Sequence, residues 1–257
     1  MTDTPQKINP IVSTHAVCVS FGDVRALRDV SFDVMPGGIF GLVGSDGAGK
    51  TTLLRLMAGM MKPDAGGMSI CGMDCVLSRR KIKPLVGYMP QRFGLYPDLS
   101  VEENIDFFLD MFGVESSRRT ERKKKYLGFS GMLAFLNRPA GDLSGGMKQK
   151  LGLACVLAHE PTLLILDEPT NGVDPVSRRE FWEILQSMRQ IGMTIIVSTA
   201  YIDEGEHCDR LALMHAGRIL MVDKPSGLKA NDATLQAAII ARLSEADKEL
   251  ARDAFGD

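Results

Sequence analysis

Three short runs along the chain are apolar at nearly every position: Ile39-Phe40-Gly41-Leu42-Val43, Leu163-Leu164-Ile165-Leu166 and Thr194-Ile195-Ile196-Val197-Ser198. Continuous apolar runs of this length, bounded by turn residues, read as strands buried on both faces. Val86-Gly87-Tyr88-Met89 is another, ended by Pro90. Residues 15–20 and 28–34, rich in Val, Ser and Phe, read as further short strands. Arg210 to His215 and Arg218 to Val222 flank Ala216-Gly217 and read as a hairpin. Other segments show helical spacing. An apolar helix is expected from Lys50 to about Gly59, with the glycine as its stop. Ser100-Val101-Glu102-Glu103 is a capping box, in which Ser100 and Glu103 satisfy each other's orphan backbone donors. Val101, Ile105, Phe108, Leu109 and Phe112 follow on one helical face, and residues 101 to about 140 read as mostly helical. Asp174 caps a further helix with Pro175 at its first position, and a short helical tail closes the chain. Pro36-Gly37-Gly38 and Pro63-Asp64-Ala65-Gly66-Gly67 are turns. Strands alternating with helices predict an α/β fold with a mostly parallel sheet covered on both faces, and a helical insert.

Composition narrows the class. With 257 residues and 45% hydrophobic content the chain can bury a full core. A formal net charge of -2 offers no strong field for nucleic acid. Met1 to Pro10 is polar and carries no secretory pattern, and no apolar run reaches the ~20 residues of a membrane span. Any membrane role is therefore expected to be peripheral. Cys18, Cys71, Cys75, Cys155 and Cys208 are odd in number, lack a C-x-x-C pair and read as reduced thiols.

Chemistry enters with three ordered motifs. Gly44-Ser45-Asp46-Gly47-Ala48-Gly49-Lys50-Thr51 follows a strand and opens a helix. In that setting the glycines let backbone N–H groups converge on phosphate oxygens, and the helix N-terminus adds a favourable field. Lys50 would neutralise the β- and γ-phosphates, the Thr51 hydroxyl would ligate magnesium, and Thr52 adds an α-phosphate contact. Asp167 ends an apolar strand, where a carboxylate reaches a magnesium ion through water. Glu168 stands next to it, placed to polarise an attacking water. Leu143-Ser144-Gly145-Gly146-Met147 opens a helix, with Ser144 as cap and two glycines leaving the amides bare as an anion site. Alone, the last two motifs read as a strand end with solvated acids and an ordinary helix cap.

Together, in this order, they resemble the nucleotide-binding subunit of an ABC transporter, over about His15 to Val222. The resemblance implies a P-loop ATPase fold with an antiparallel β part and a helical subdomain at about 95–155. It would sit inside a nucleotide-binding domain of 15–225, between an N-terminal tail (1–14) and a C-terminal helical tail (226–257). It implies ATP and Mg2+, and two such domains packed head to tail. Each ATP is then held by the phosphate loop of one and by Ser144, Gly145 and Gly146 of the other. Phe21 matches the aromatic that stacks on adenine. Gln91, after Tyr88-Met89-Pro90, matches the glutamine that senses magnesium and acts with Glu168 and Lys50. Asn171-Gly172-Val173-Asp174 matches the loop that links the two ATP sites.

The pattern breaks at one place. The family's Ser-Thr-His is here Ser198-Thr199-Ala200, and an alanine donates no hydrogen bond to the γ-phosphate. Losing one donor to developing charge costs about 10²–10³ in rate where it has been measured. A slow or asymmetric ATPase is expected, working as a homodimer or with a non-identical partner domain that carries the histidine. His207 and Tyr201 are poor substitutes. Asp46 in place of Asn puts an acid near phosphates, and Met147 replaces the frequent Gln. Phe93 to Asn104 and Leu143 to Lys150 look most similar to ATPases of drug, lipid or polysaccharide exporters with separate type-two membrane subunits. That resemblance implies a peripheral subunit on the cytoplasmic face of the inner membrane, touching its membrane partner near Gln91 and the helical insert. The basic run Arg118, Arg119, Arg122, Lys123, Lys124 and Lys125 reads as a solvated helix face, with anionic lipid as the rival reading. The missing histidine keeps open a degenerate, non-transport regulatory ATP-binding module. A chromosome-organising ATPase would need a long heptad insert, which the chain lacks. A phosphate-loop kinase would leave the Ser-Gly-Gly segment unexplained.

Overall fold

The computed structural model describes residues 9–229 and 234–255. Its centre is a six-stranded sheet in the order β10-β9-β3-β8-β7-β6. The strands are β3 (Ile39–Val43), β6 (Val86–Met89), β7 (Leu163–Asp167), β8 (Thr194–Thr199), β9 (Arg210–His215) and β10 (Arg218–Asp223). All neighbours run parallel except the β9–β10 hairpin. Every residue of β3, β7 and β8 is buried, as their unbroken apolar runs predict. A second, antiparallel sheet has the order β2-β1-β4-β5, with β1 (Val12–Phe21), β2 (Val24–Val34), β4 (Ala65–Ile70) and β5 (Met73–Asp74). β1 starts three residues earlier than expected, because Val12 and Thr14 are buried and pair with β2 and β4. Residues 1–8 of the expected N-terminal tail lie outside the described residues.

The Lys50 helix, α1 (Lys50–Met57), stops as predicted, with Gly59 at φ +66°. After α2 (Arg79–Ile82), the helical insert holds α3 (Val101–Met111), α4 (Ser116–Phe129) and α5 (Gly145–Leu157). Both halves of the Ser100–Glu103 capping box form. Val101, Ile105, Phe108 and Leu109 enter the core, whereas Phe112 is half-exposed and stacks on His159. α6 (Pro175–Gln190) begins at Asp174, whose carboxylate accepts from the N–H groups of Val176 and Ser177.

Two expectations need correction. The basic run is solvated only in part: Arg118, Lys124 and Lys125 are exposed, whereas Arg119, Arg122 and Lys123 are half-buried. Arg119 pairs with Asp110, Arg122 with Glu160 at 2.9 Å, Lys123 with Glu102 at 2.7 Å and Asp106 at 3.1 Å, and Lys125 with Glu160 at 3.1 Å. These pairs brace α4 against α3 and the end of α5. Burial pushes the Glu160 carboxyl up, but the lysine and arginine around it win and hold it below the usual carboxylate range. The C-terminal tail is also not short. After α7 (Pro225–Lys229), α8 spans Leu235–Phe255, and Leu235 and Ile239 join the core. Residues 230–233 and 256–257 of that tail lie outside the described residues. The five cysteines are free thiols, and burial pushes the thiols of Cys155 and Cys208 far up.

Asn104 fixes the insert to the segment leading into it. It is fully buried, accepts from the Tyr96 N–H at 2.9 Å and donates to the carbonyls of Tyr96, Leu99 and Ser100. Asn104→Ala strands the Tyr96 amide and its neighbours' carbonyls without water. It is expected to lower stability by about 2–4 kcal/mol in urea unfolding, where a loss below about 0.5 kcal/mol would show those groups find other partners.

Candidate nucleotide-binding site

β3, β8 and β7 lie side by side, and their register sets Val43 beside Thr199 and Asp167 beside Ser198. Three strand ends therefore open at one level, where open parallel sheets place their ligands. The loop after β3 wraps into α1. Gly49 has φ +102°, and a Cβ there would come within 2.6 Å of the Ala26 carbonyl, so only glycine turns the chain here. The Lys50 side chain is 4% exposed, and its ammonium donates to the carbonyls of Gly44 at 2.8 Å and Ser45 at 3.0 Å. It also forms an ion pair with Glu168 at 3.2 Å.

Asp167 is buried and receives three hydrogen bonds. The hydroxyls of Thr51 (3.1 Å) and Ser198 (2.8 Å) donate to Oδ1, and the Tyr88 phenol donates to Oδ2 at 3.2 Å. Burial first, and then the Asp167 charge, push Tyr88 up to about 12, so it stays a donor across the physiological range. Glu168 has φ +47°, a left-handed conformation rare outside glycine. Its N–H is held by the Ser198 carbonyl at 3.2 Å and hydroxyl at 3.0 Å. Gln91 and Asn171 donate to its Oε2 at 3.0 and 3.2 Å, while Oε1 faces Lys50.

Lys50, Thr51, Gln91, Glu168 and Asn171 border a cleft of 530 Å³ that also contacts Phe21, Arg25, Arg28, Asp46, Gly47, Ala48, Gly49 and Thr52, while Asp167 is reached through the Thr51 hydroxyl. Phe21 is 53% exposed at the end of β1, outside the core and open to a ligand at the edge of the cleft. The oxygen donors Thr51 and Asp167, side by side at the phosphate loop, suit magnesium, which prefers one or two protein oxygens beside phosphate and water. The glycine cradle and buried ammonium fit a triphosphate.

Ser144, Gly145 and Gly146 do not border this cleft. Ser144 caps α5 by accepting from the Met147 N–H at 3.3 Å. Gly145 is exposed with open space around its α-carbon, but Gly146 is buried, and a Cβ there would meet Ser177 at 2.4 Å. The second glycine thus serves the contact between α5 and α6. Ala200 is exposed just past β8. Beside it, buried Glu204 accepts from Thr170 at 2.7 Å and Thr199 at 2.6 Å. Tyr201 lies under the Arg178 guanidinium at 4.0 Å, and exposed His207 packs against Trp182, so neither is free to replace the histidine.

Sequence reasoning passed over Ser198, Tyr88 and the catalytic-side contact of Asn171. No spacing rule reveals them, because each meets its carboxylate only after strands pair or the loop turns. Ser198→Ala removes the hydroxyl that ties Asp167 to the Glu168 amide. It is expected to lower magnesium-dependent ATP turnover about 10- to 100-fold and to raise the magnesium concentration needed, as loss of a ligand-orienting partner does. An unchanged magnesium titration would contradict that role.

Comparison with known proteins agrees with this geometry. The family model described as "ABC transporter" matches residues 27–171. The "Probable multidrug ABC transporter ATP-binding protein YbhF" of Escherichia coli is 45% identical over 80% of this chain and 36% of its own length. The "Nod factor export ATP-binding protein I" of Burkholderia lata is 39% identical over 81% of this chain and 69% of its own. The chain thus spans about a third of the first relative and about two-thirds of the second. Among solved structures, cbiO1 from Clostridium perfringens, "Part of the ABC transporter complex cbiONQ", superposes with a TM-score of 0.82 at 26% identity. That match covers 95% of this chain and 99% of the other. The match to the family model over more than half of the chain and the identity to these relatives show that the chain belongs to the ABC transporter family and carries that family's ATPase domain.

Proposed function

We propose that this chain is the ATP-binding and ATP-hydrolysing subunit of an exporter, peripheral on the cytoplasmic face of the inner membrane. Residues 15–225 form its nucleotide-binding unit, with the helical insert at 95–155. It pairs with a second nucleotide-binding domain and drives separate membrane subunits. The export reading rests on the relatives' printed names. Among the described residues, no helix is long and apolar enough to cross a membrane, which suits a peripheral place.

The observation that carries the enzymatic reading is the Lys50–Glu168 ion pair inside the glycine-lined cleft. A triphosphate offers Lys50 a stronger partner than one carboxylate. Lys50 then turns to the phosphates and releases Oε1 of Glu168, while Gln91 and Asn171 keep hold of Oε2. The freed oxygen is placed to take the proton of a water as that water's oxygen bonds to the γ-phosphorus. The P–O bond to the β-phosphate breaks, giving ADP and phosphate. Magnesium, when bound, neutralises the phosphate charge, and Thr51 and Asp167 are the residues that would hold it. Ser144 and Gly145, exposed and outside the cleft, would supply the remaining phosphate contact from the paired domain.

Ala200 leaves one γ-phosphate donor missing, so turnover is slow. That same feature favours the rival reading, a regulatory module that binds ATP without turning it over. Magnesium-dependent ATP turnover separates them. The wild-type chain is expected to exceed Lys50→Ala, and Ala200→His to exceed wild type about 10- to 100-fold. Turnover of wild type and Ala200→His both at the Lys50→Ala baseline would favour the regulatory module. Equal, fast turnover of wild type and Ala200→His would show that position 200 does not limit the site.

A further inference from the structure

The turn after β8 buries a carboxylate that the proposed hydrolysis does not use. Glu204 lies in the short helical segment Ile202–His207 and is 2% exposed. Its Oε1 accepts from the Thr170 hydroxyl at 2.7 Å, and its Oε2 accepts from the Thr199 hydroxyl at 2.6 Å. One side chain therefore joins the segment after the acid pair to the end of β8. Arg178, in the first turn of α6, supplies a counter-charge, with its Nε 3.7 Å from Oε1. That Nε is shielded from solvent and makes no hydrogen bond, and the guanidinium covers the Tyr201 ring at 4.0 Å. The Thr199 hydroxyl in turn accepts from the Tyr201 N–H at 3.0 Å.

Such a cluster is a poor way to stabilise a turn, because well-packed apolar side chains of similar volume often do as well or better. What hydrogen bonds add is direction. Each threonine that Glu204 holds stands one residue from a support of Glu168. Thr170 precedes Asn171, whose side chain donates to Glu168 Oε2 at 3.2 Å and whose N–H donates to the Glu168 carbonyl at 3.2 Å. Thr199 follows Ser198, whose carbonyl and hydroxyl hold the Glu168 N–H. Glu168 depends on such support, since its backbone is left-handed at φ +47°. We propose that Glu204 is a positioning residue for hydrolysis: with Arg178 beside it, it clamps Thr170 to Thr199 and so fixes the two contacts that aim Glu168. This inference rests on the reading of Glu168 as the group that takes the proton of the attacking water.

Turnover and amide hydrogen exchange test it together. Thr170→Val removes one hydroxyl at nearly constant volume, and Thr170→Ser keeps it. In Thr170→Val, exchange across residues 167–173 is expected to quicken about ten-fold, with α3 exchanging as in wild type. Its kcat is expected to fall about 10- to 100-fold, as a misplaced catalytic group causes, while KM for ATP stays within about two-fold. Thr170→Ser should match wild type in both readouts. Glu204→Ala should show the Thr170→Val pattern more strongly; if that chain fails to bind ATP, Thr170→Val decides alone. A purely stabilising role would lower the unfolding midpoint of Thr170→Val and leave its kcat in place, and that result overturns the proposal. A rise in KM with kcat unchanged overturns it as well. If neither wild type nor Ala200→His turns over ATP, it is the hydrolytic reading that fails. Exchange then decides the clamp by itself, and wild-type exchange across 167–173 in Thr170→Val overturns it.

Discussion

The parallel register of β3, β8 and β7 is the constraint on which the rest depends. It sets Val43, Thr199 and Asp167 at one edge, so the phosphate loop and the acid pair face each other across a single intervening strand. That strand is not a spacer. Through Ser198 it contributes the hydroxyl that donates to Asp167 and the acceptors that hold the Glu168 amide. A one-residue slip would turn every side chain to the opposite face. Full burial of all three strands makes such a slip costly, so the core that stabilises the sheet also aims the chemistry.

Much of this was legible in the chain. Continuous apolar runs announced the buried strands, and the capping residues Ser100 and Asp174 announced helix starts, because these signals are local. The phosphate loop was readable for the same reason: its glycines and Lys50 are contiguous. What stayed hidden depends on partners far along the chain. Ser198 meets Asp167 across 31 positions, and Tyr88 meets it across 79. The pairing of Arg122 and Lys123 was hidden because their acids, Glu102, Asp106 and Glu160, sit on other elements. Gly146 looked like a bare amide, whereas Ser177 of α6 explains why it lacks a side chain.

The site is held in a poised arrangement by its own side chains. Lys50 and Glu168 occupy each other, and the Glu168 backbone is kept in a left-handed conformation by Ser198. Glu204 draws the segment after the acid pair and the end of β8 together through Thr170 and Thr199, fixing the backbone on both sides of Ala200. Position 200 is thus well placed and chemically empty. In the proposed pairing, the Ser144–Gly145 edge of a second domain closes the cleft over ATP.

Turnover by mixed variants tests that completion in trans most directly. Gly145→Asp places an acid at a position with open space, so the fold and ATP affinity of the single chain should persist while turnover is lost. Lys50→Ala should be inactive as well. Mixed in equal amounts, the two should recover about a quarter of wild-type turnover, because half of the pairs carry one intact site of two. Full wild-type turnover by the Gly145→Asp chain alone would contradict a site shared between two domains.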